Sequence, residues 1–364
     1  MFNSKFSKLR KFAFATACVA VLMHAASAAP LKKVSIAVGS QVLNVTYPWL
    51  LMPKVLGYWQ SMGYDVDIVG LSGSTQALQQ MAAGGVQFAQ LNSTDLIRAN
   101  SDRKLSVRAV MNTGVIDWGL AVLANGPIKS VAQLKGKRIG IVSLATGGLP
   151  LMQSLLAENG LDPQHDVEVI ATGAGAPALD ALKSGRVQAL MFWQTAITGF
   201  ENSGASLHVF RDPSWQKLPD FTLTTMATTV KTAPETVIAI AKGAAMAIEF
   251  TNANPECVRK LQWKHFPSTK PTGVDEATAA RWDDALLKSQ LASMNSAFVM
   301  NGAKYIGATD PAGIDRMQQF MVRQKLVGSV VTPTDMVVDI PNFVARVNDF
   351  DHEAIKAAAR KCAF

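Results

Sequence analysis

Neutral hydrogen-bonding residues are gathered in six short loops of the sequence, and these loops hold the residues best suited to contact a small molecule. Hydroxyl and amide groups both donate and accept hydrogen bonds, while glycine lets a backbone N–H group approach a ligand closely. The candidate ligand-binding residues are Ser40, Gln41, Ser72, Gly73, Ser74, Thr75, Asn92, Ser93, Thr94, Ser143, Thr146, Gly147, Gly173, Gly175, Trp193 and Gln194. None of these loops contains lysine or arginine. An anion would therefore have to be held by helix N-termini, backbone N–H groups and hydroxyls.

Each candidate also has a purely structural explanation. The serines and threonines at 72–75 and 92–94 stand where predicted helices begin, and these residue types commonly cap a first turn. The glycines in 143–148 and 172–176 are explained equally well by tight turns. Trp193 ends an apolar run, so it is either an aromatic wall of a cleft or a core residue.

The sequence contains none of the common catalytic or cofactor-binding motifs. G-x-S-x-G, the Walker loop, G-x-G-x-x-G and H-E-x-x-H are all absent, and the histidines after residue 28 lie away from the candidate loops. Cys257 and Cys362 have no nearby histidine pair, so they do not indicate a metal site. In an oxidising compartment they either form a disulfide or remain two separate thiols. We predict a protein that is not an enzyme and needs no metal or cofactor.

A sequence repeat positions the candidate loops. Residues 64–95 align without a gap on residues 165–196, with eight of 32 positions identical. In both copies a short apolar run predicts a strand, a loop of small residues follows, and a stretch with Ala and Leu at helical spacing leads to a second apolar run. Residues 32–41 and 137–146 form a further pair, each predicting a strand that begins one copy. The sequence therefore predicts two similar α/β lobes.

The alternation of strands and helices predicts a mainly parallel sheet in each lobe. In such a sheet the loops at the carboxyl ends of the strands lie along one edge, and ligands bind there. Two lobes placed edge to edge would enclose a ligand between their loops. From this repeat we expect "LSGST" (71–75) to oppose "TGAGA" (172–176).

The first 28 residues have the pattern of an export signal. Four basic residues are followed by an apolar run at 12–23 and by small residues up to Ala28. This order is typical of a secretory signal peptide, and the run is shorter than the roughly 20 residues that span a bilayer. We predict cleavage after Ala28 and a periplasmic protein. An uncleaved N-terminal anchor is the alternative.

Composition and charge narrow the class of protein. The 364 residues of the full sequence, 49% of them hydrophobic, fit about two domains with a substantial core. Removal of the signal segment lowers the formal net charge from +8 to +4. No run of lysine and arginine longer than two residues follows, so we predict no nucleic-acid binding.

Three segments of the sequence carry a family signature. They are "KVLGYWQSMGYDVDIVGLSGSTQALQQMAAGGVQFAQLNST" (54–94), "GPIKSVAQLKGKRIGIVS" (126–143) and "ALDALKSGRVQALMFW" (178–193). They resemble periplasmic substrate-binding proteins of the nitrate/taurine/sulfonate ABC importers, a group that includes thiamine-pyrimidine binders.

The resemblance implies an α/β fold of the two-lobed periplasmic binding protein type, in which each lobe is a mainly parallel sheet flanked by helices. Lobe 1 would comprise 29–115 and 225–364, with a helical C-terminal region from about 233, and lobe 2 would comprise 116–224. The two segments that cross between the lobes would lie in 112–125 and 218–230.

The resemblance also implies a monomeric component that binds a small molecule and delivers it to an ABC permease in the inner membrane. Loops rich in hydroxyls suit a sulfonate or carboxylate, and equally a neutral heterocycle, such as a thiamine pyrimidine precursor, stacked on Trp193 or Tyr47. Gln87, Gln188 and Gln194 replace aspartates common in relatives, which makes a cationic ligand harder to support.

Two other classes of function compete with transport. A pyrimidine-synthase-like enzyme is disfavoured by the export signal and by the lack of a cysteine cluster. A ligand-presenting module for a sensor would have the same sequence features as a transport component.

Overall fold

The computed structural model of the protein describes residues 30–364. The predicted signal peptide and its cleavage after Ala28 lie outside the described residues. Within residues 30–364, no helix combines the length and the apolar character needed to cross a bilayer.

The first part of the described chain alternates strands with helices. Val34, Ile36 and Val38 of the first strand are all buried, as alternating apolar positions on the covered face of a sheet should be. The elements are β1 (Lys32–Val38), α1 (Pro48–Val55), α2 (Tyr58–Ser61), β2 (Tyr64–Gly70), α3 (Ser74–Ala82), β3 (Phe88–Leu91), α4 (Ser93–Ser101) and β4 (Val107–Val115).

The second part repeats this order. Its elements are β5 (Gly119–Leu123), β6 (Lys137–Ile141), α5 (Gly148–Glu158), β7 (Val167–Ala171), α6 (Ala176–Lys183), β8 (Ala189–Phe192), α7 (Gln194–Asn202) and β9 (Leu207–Phe210). The repeat predicted from sequence is confirmed, because β2, α3, β3 and α4 match β7, α6, β8 and α7 in order and spacing.

One more strand and seven helices complete the described chain. They are β10 (Pro219–Met226), α8 (Ala227–Thr232), α9 (Pro234–Ala253), α10 (Pro255–His265), α11 (Glu276–Met300), α12 (Pro311–Arg323), α13 (Phe343–Val347) and α14 (His352–Lys361). Short 3-10 helices lie at Val131–Leu134, Pro213–Lys217, Pro267–Thr269 and Pro333–Met336. Helix α9 packs on α1, α13 and α14, and α11 contacts both β4 and α7.

The two sheets have the same topology, and each contains one strand that the chain reaches directly from the other sheet. Their strand orders are β2-β1-β3-β10-β4 and β7-β6-β8-β5-β9. In each sheet the first three strands are parallel, and the fourth runs antiparallel to both of its neighbours. That fourth strand, β10 or β5, is reached directly from the other lobe. The two-lobed α/β fold predicted from sequence is confirmed.

The chain passes between the sheets twice, at 116–118 and at 211–218. The first passage coincides with the end of β4. The second comes before β10, so the expected boundary between residues 224 and 225 falls inside a strand that pairs within the first sheet.

A disulfide closes the C-terminal region. Cys257 at the start of α10 and Cys362 after α14 are bonded, with a Cα–Cα distance of 5.7 Å. Of the two alternatives for these cysteines, the paired one is what the structure contains. The bond lies in an apolar cluster with Leu261, Leu287 and Ile355.

Candidate functional site

Loops at the carboxyl ends of the strands of the two sheets contact each other directly. The Thr75 N–H group donates to the Ala145 carbonyl (3.2 Å), and the Gly147 N–H group donates to Ser74 Oγ (3.2 Å). Thr94 Oγ1 donates to the Gly147 carbonyl (2.8 Å). The lobes are therefore closed on each other along this edge.

The loops that oppose each other are not the pair expected from the repeat. Residues 71–75 face the loop 143–147, whereas 172–176 line a cavity together with residues of the loop 39–47. The expectation that "LSGST" opposes "TGAGA" is wrong for a geometric reason. Both loops follow edge strands, β2 and β7. The loop after β2 meets the loop after β6, which is next to the edge of the second sheet, and the loop after β7 meets the loop after β1, which is next to the edge of the first sheet.

Two adjacent cavities lie between the lobes. The smaller has a volume of about 330 Å³ and is lined by Gly39, Tyr47, Ser74, Gln90, Asn92, Trp118, Thr146, Trp193 and Phe221. Four of these residues are aromatic, and the others are neutral. Trp118 and Trp193 pack edge to face with ring centroids 5.4 Å apart. This end of the cleft is shaped for a compact, flat group.

The larger cavity has a volume of about 700 Å³, open mouth included, and shares Tyr47 and Trp193 with the smaller one. Its other lining residues are Ser40, Val42, Asn44, Thr46, Ala174, Gly175, Ala176, Leu179, Thr195, Ala196, Gly199, Phe200, Ser203 and Leu286. From the described part of the chain, residues 30–364, no lysine, arginine, histidine, aspartate or glutamate lines either cavity. Trp193 is partly exposed to both cavities, so it has the position of an aromatic wall.

Six predicted site residues line these two cavities: Ser40, Ser74, Asn92, Thr146, Gly175 and Trp193. The others lie nearby without lining either cavity: Gln41, Ser72, Gly73, Thr75, Ser93, Thr94, Ser143, Gly147, Gly173 and Gln194.

Several of these nearby residues make contacts of another kind. Gln41 Nε2 donates to Ser72 Oγ (2.9 Å) on the exposed rim. Ser143 Oγ accepts from the Ala145 N–H group (3.1 Å) within its own loop. Gln194 lies on the far side of the cleft wall, where its Oε1 accepts from Arg211.

Gly147 permits a close approach between the lobes. Its backbone angle φ is −67°, which any residue can adopt. A Cβ atom at this position, however, would lie 2.3 Å from the Cβ of Asn92 in the first lobe. A glycine is therefore required for the contact between the lobes, rather than for the turn.

Helix capping does not explain the serines and threonines at 72–75 and 92–94. The N-cap residues of α3, α4 and α7 are Gly73, Asn92 and Trp193, and none makes a side-chain cap hydrogen bond. The side chains bond instead to a buried carboxylate. Ser74 Oγ and Thr75 Oγ1 both donate to Asp95 in the first turn of α4, the latter at 2.8 Å.

A second buried carboxylate, that of Asp220, lies behind the smaller cavity. It accepts from the Ser93 N–H group (2.8 Å), from Asn92 Nδ2 (2.9 Å) and from Trp118 Nε1 (3.2 Å). Burial raises the pKa of Asp220 to about 6 despite these donors, and burial also raises the pKa of Asp95.

A third acid, Asp117, lies in the first passage between the lobes. Its carboxylate accepts from the Gln194 N–H group at 3.4 Å. Burial, with the nearby Asp220 charge as a second cause, raises the pKa of Asp117 to about 7.

These contacts occupy helix N-terminal N–H groups that an anion would need. Thr75 in α3 donates to a carbonyl, Ser93 in α4 donates to Asp220 of β10, and Gln194 in α7 donates to Asp117 of the first passage. Protein oxygens thus already accept from three helix N-termini facing the cleft. The field of each N-terminus is correspondingly reduced.

Gln87 and Gln188 do not bear on the charge of the ligand. They lie before β3 and β8, at the end of the sheets opposite the cleft, and occupy equivalent positions. Gln87 Oε1 accepts from the Ser35 N–H group (2.8 Å), and Gln188 Oε1 accepts from the Arg138 N–H group (3.0 Å). The expectation that these two residues disfavour a cation is therefore wrong, because each side chain accepts a hydrogen bond from a backbone N–H group of a neighbouring strand.

Several residues that line the cavities were not predicted from the sequence. Gln90 is the most informative, because a glutamine inside the buried strand "FAQL" is a signal that the sequence does contain. Thr195 in the first turn of α7 and Asn44 in the long loop after β1 carry no comparable signal. Leu286 comes from α11, far along the chain, so its position depends on how α11 packs.

The class that the structure defines is a two-lobed α/β fold with a cleft between its lobes. The chain belongs to the NMT1/THI5 like family, whose model matches residues 47–257. A binding protein of Brucella abortus is 28% identical over 141 residues, a match that covers 39% of this chain and 42% of that protein. The match thus spans less than half the length of this curated relative.

Solved structures share the fold across almost the whole described chain. The alkanesulfonate-binding protein SsuA of Xanthomonas axonopodis pv. citri, bound to MOPS, is 15% identical with a TM-score of 0.62, covering 85% of this chain and 99% of that chain. The periplasmic aliphatic sulphonate-binding protein SsuA of Escherichia coli is also 15% identical, with a TM-score of 0.58 and coverage of 86% and 99%. The desulfurization enzyme DszB is 15% identical with a TM-score of 0.56, covering 87% and 98%. These structural similarities establish the periplasmic binding protein fold, and proteins with this fold include both binding proteins and an enzyme.

Proposed function

We propose that the protein is the periplasmic solute-binding component of an ABC importer. It binds a small organic molecule between its lobes and delivers it to a membrane permease as a monomer. The observation that carries this proposal is the closed pair of lobes around two adjacent cavities lined only by neutral and aromatic residues. The family, the fold and the names of the relatives support it.

Ligand binding would act through the two passages between the lobes. Opening would separate Ser74 from Gly147 and Thr75 from Ala145, and closure would restore these contacts. A ligand shifts this equilibrium only by the contacts it makes in the closed state and lacks in the open one. Trp193 and Tyr47, which line both cavities, would supply such contacts.

The first candidate ligand is a small organic anion, a sulfonate or a carboxylate. It is supported by the solved relatives, whose names state sulfonate binding. The second candidate is a neutral heterocycle. It is favoured by the uncharged lining of the cavities and by the helix N-terminal N–H groups that already donate to Asp220 and Asp117.

Transport is supported over catalysis by the chemistry of the lining residues. Of the residues that the structure describes, no cysteine, histidine, lysine, aspartate or glutamate lines either cavity, so these nucleophiles and bases of covalent catalysis do not reach a ligand there. Ser74 Oγ lines the smaller cavity and is hydrogen-bonded to Asp95, but no histidine of the described chain lies beside it to act as its base. Among residues 30–364, no group of three or more His, Cys, Asp or Glu side chains is placed to hold a metal ion. A sensor module would use the same cleft, and the absence of uptake in a strain that lacks the permease would separate the two roles.

The proposal is tested by calorimetry on the mature chain with sulfonates, aliphatic and aromatic carboxylates, nitrate and uncharged heterocycles. We expect at least one class to bind with a micromolar or lower Kd and to raise the Tm. If no class binds, or if one is turned over, the transport function is wrong.

The site is tested by a triple variant, Ser74→Ala, Asn92→Ala and Thr146→Ala, which removes polar groups from the smaller cavity. A lost hydrogen bond costs about 0.5–1.5 kcal/mol, whether it joins Thr146 to the ligand or joins Ser74 and Asn92 to the carboxyl groups behind the cavity, so we expect affinity to fall by about one order of magnitude or more. The Tm of the variant is measured in parallel to show that it folds. Gln41→Ala with Ser72→Ala, on the exposed rim, is the matched control. Unchanged affinity in the triple variant would contradict the site.

A further inference from the structure

One polar side chain in the smaller cavity has no partner. Gln90 lies on β3 between Ala89 and Leu91 and is only 8% exposed. Among residues 30–364, its side-chain amide neither donates nor accepts a hydrogen bond, although it lines the cavity. The polar atoms of this amide are open to the cavity, since neither is among the enclosed side-chain atoms that lack a partner. A ligand that fills the cavity and excludes water has to supply the hydrogen bonds that water would otherwise make to Gln90.

Aromatic groups surround this amide. Tyr47, Trp118, Trp193 and Phe221 line the same cavity of about 330 Å³. Phe221 has a left-handed backbone, with φ of 52°, although it lies in strand β10. Such a conformation in a bulky residue costs free energy and is commonly retained at binding sites. These rings favour a flat occupant.

The electrostatics of the cavity disfavour an anion. No cationic side chain lines it, and the carboxyl groups of Asp95 and Asp220 lie directly behind Ser74 and Asn92. A carboxylate also cannot donate to Gln90 Oε1, which would leave that acceptor unpaired. An amide has one acceptor and one donor side by side, and it can pair with both polar atoms of Gln90.

We propose that Gln90 selects a flat, uncharged ligand that carries a carboxamide edge, either a primary amide or a lactam. Gln90 Nε2 donates to the carbonyl of the ligand, and Gln90 Oε1 accepts from its N–H group. The ring of the ligand lies among the four aromatic side chains, and any further substituent extends into the larger cavity. This assignment rests on the proposed solute-binding function and specifies its ligand.

Four compounds that share one ring test the charge and shape of the head: benzamide, benzoate, benzenesulfonate and phenyltrimethylammonium. Their binding to the mature chain is measured by calorimetry. We expect benzamide to bind at least tenfold more tightly than either anion, because an analogue that leaves a buried polar group unpaired is rejected strongly. Tighter binding of an anion, or of phenyltrimethylammonium in an aromatic cage, would overturn the assignment.

A substitution at Gln90 isolates the role of its amide. Gln90→Met keeps the length of the side chain. A methionine is expected to fit in β3, because the equivalent residue of β8 in the repeat is the buried Met191. We expect benzamide affinity to fall about ten- to hundredfold, the loss of two hydrogen bonds, with a change below about threefold for benzoate. Gln90→Glu is the second variant and should also lose benzamide binding. Gln41→Met, an exposed glutamine outside the cavities, is the control.

The outcomes separate the two proposals. If Gln90→Met folds, as judged by its Tm, and binds benzamide as tightly as the natural chain, the assignment of Gln90 is wrong while solute binding stands. If none of the four compounds binds but another member of the wider panel does, the assignment is again wrong. If nothing in either panel binds, the solute-binding function itself fails.

Discussion

At the scale of single residues, the cleft is controlled by side chains that do not face the ligand. Burial raises the pKa of Asp95, Asp117 and Asp220, and these side chains hold Ser74, the start of α7 and Asn92 in place, respectively. Their hydrogen bonds fix which polar atoms are left for a ligand. The amide of Asn92 is already bonded to Asp220 and Ser74, whereas the amide of Gln90 remains available to a ligand.

Asp117 predicts a dependence of stability on pH. Its pKa is about 7 in the folded chain against an ordinary value of 3.8. Between about pH 4 and 7 the folded state therefore keeps a proton that the unfolded state has lost, so this group makes stability fall as pH rises through that window. We expect Asp117→Asn to flatten the fall, as measured by chemical denaturation from pH 4 to 8.

The exposed Asp335→Asn is the control for this effect, and it should leave the pH profile unchanged. Asp220, with a pKa of about 6, contributes in the same direction and keeps part of the slope in the variant. A profile for Asp117→Asn that matches the natural chain at every pH would contradict the assignment to Asp117.

At the scale of elements, the C-terminal helices have two roles: α11 contacts both lobes, and α10 and α14 are joined by the disulfide. Helix α11 spans both lobes, since Trp263 Nε1 donates to its Asp283 (2.7 Å) in lobe 1 and Asn202 Nδ2 of α7 donates to its Trp282 carbonyl (3.1 Å). It also contributes Leu286 to the larger cavity. Any opening of the lobes must therefore change how α7 lies on α11.

Helices α10 and α14 are joined by the disulfide, at a sequence separation of 105 residues. Closing a loop of this size restricts the unfolded chain by about 4–5 kcal/mol in the chain-entropy treatment. We expect Cys257→Ala with Cys362→Ala to lower the free energy of unfolding by about 2–4 kcal/mol, measured in urea.

Ligand affinity should stay the same in this double variant, because the disulfide lies in the apolar cluster around α10 and does not line the cleft. An equal loss of stability after reduction of the natural chain is the internal control. A loss of affinity without a loss of stability would be evidence against a purely structural disulfide.

At the scale of the whole molecule, Gly147 links the geometry of one loop to closure of both lobes. We expect Gly147→Ala to fold normally, since its φ is ordinary, but to hinder closure through contact with Asn92. Ligand affinity should fall at least tenfold, and small-angle X-ray scattering should show a larger radius of gyration with ligand than in the natural chain.

Gly328→Ala is the matched control, because a Cβ atom there would meet no atom within 4 Å. Equal affinities of the Gly147→Ala variant and the natural chain would show that closure does not need this contact.

The sequence predicted the fold better than the site, for a physical reason. Apolar periodicity and the repeat are local properties, and they located the equivalent strands and helices of both lobes. Which loops oppose each other depends on strand order, which periodicity does not contain. The bonding of Ser93 to Asp220, and the contribution of Leu286, likewise depend on contacts between distant parts of the chain.

The position of β10 in the first sheet also affects how this sheet can form during synthesis. Strand β4 pairs only with β10 in the first sheet, and β10 separates it from β3. During synthesis, β3 and β4 emerge well before β10, so until then each has a backbone edge without its neighbour. Such edges are sites of aggregation, and large chains expose them in intermediates. The first sheet therefore stays open to pairing with other chains until residue 226 has been added.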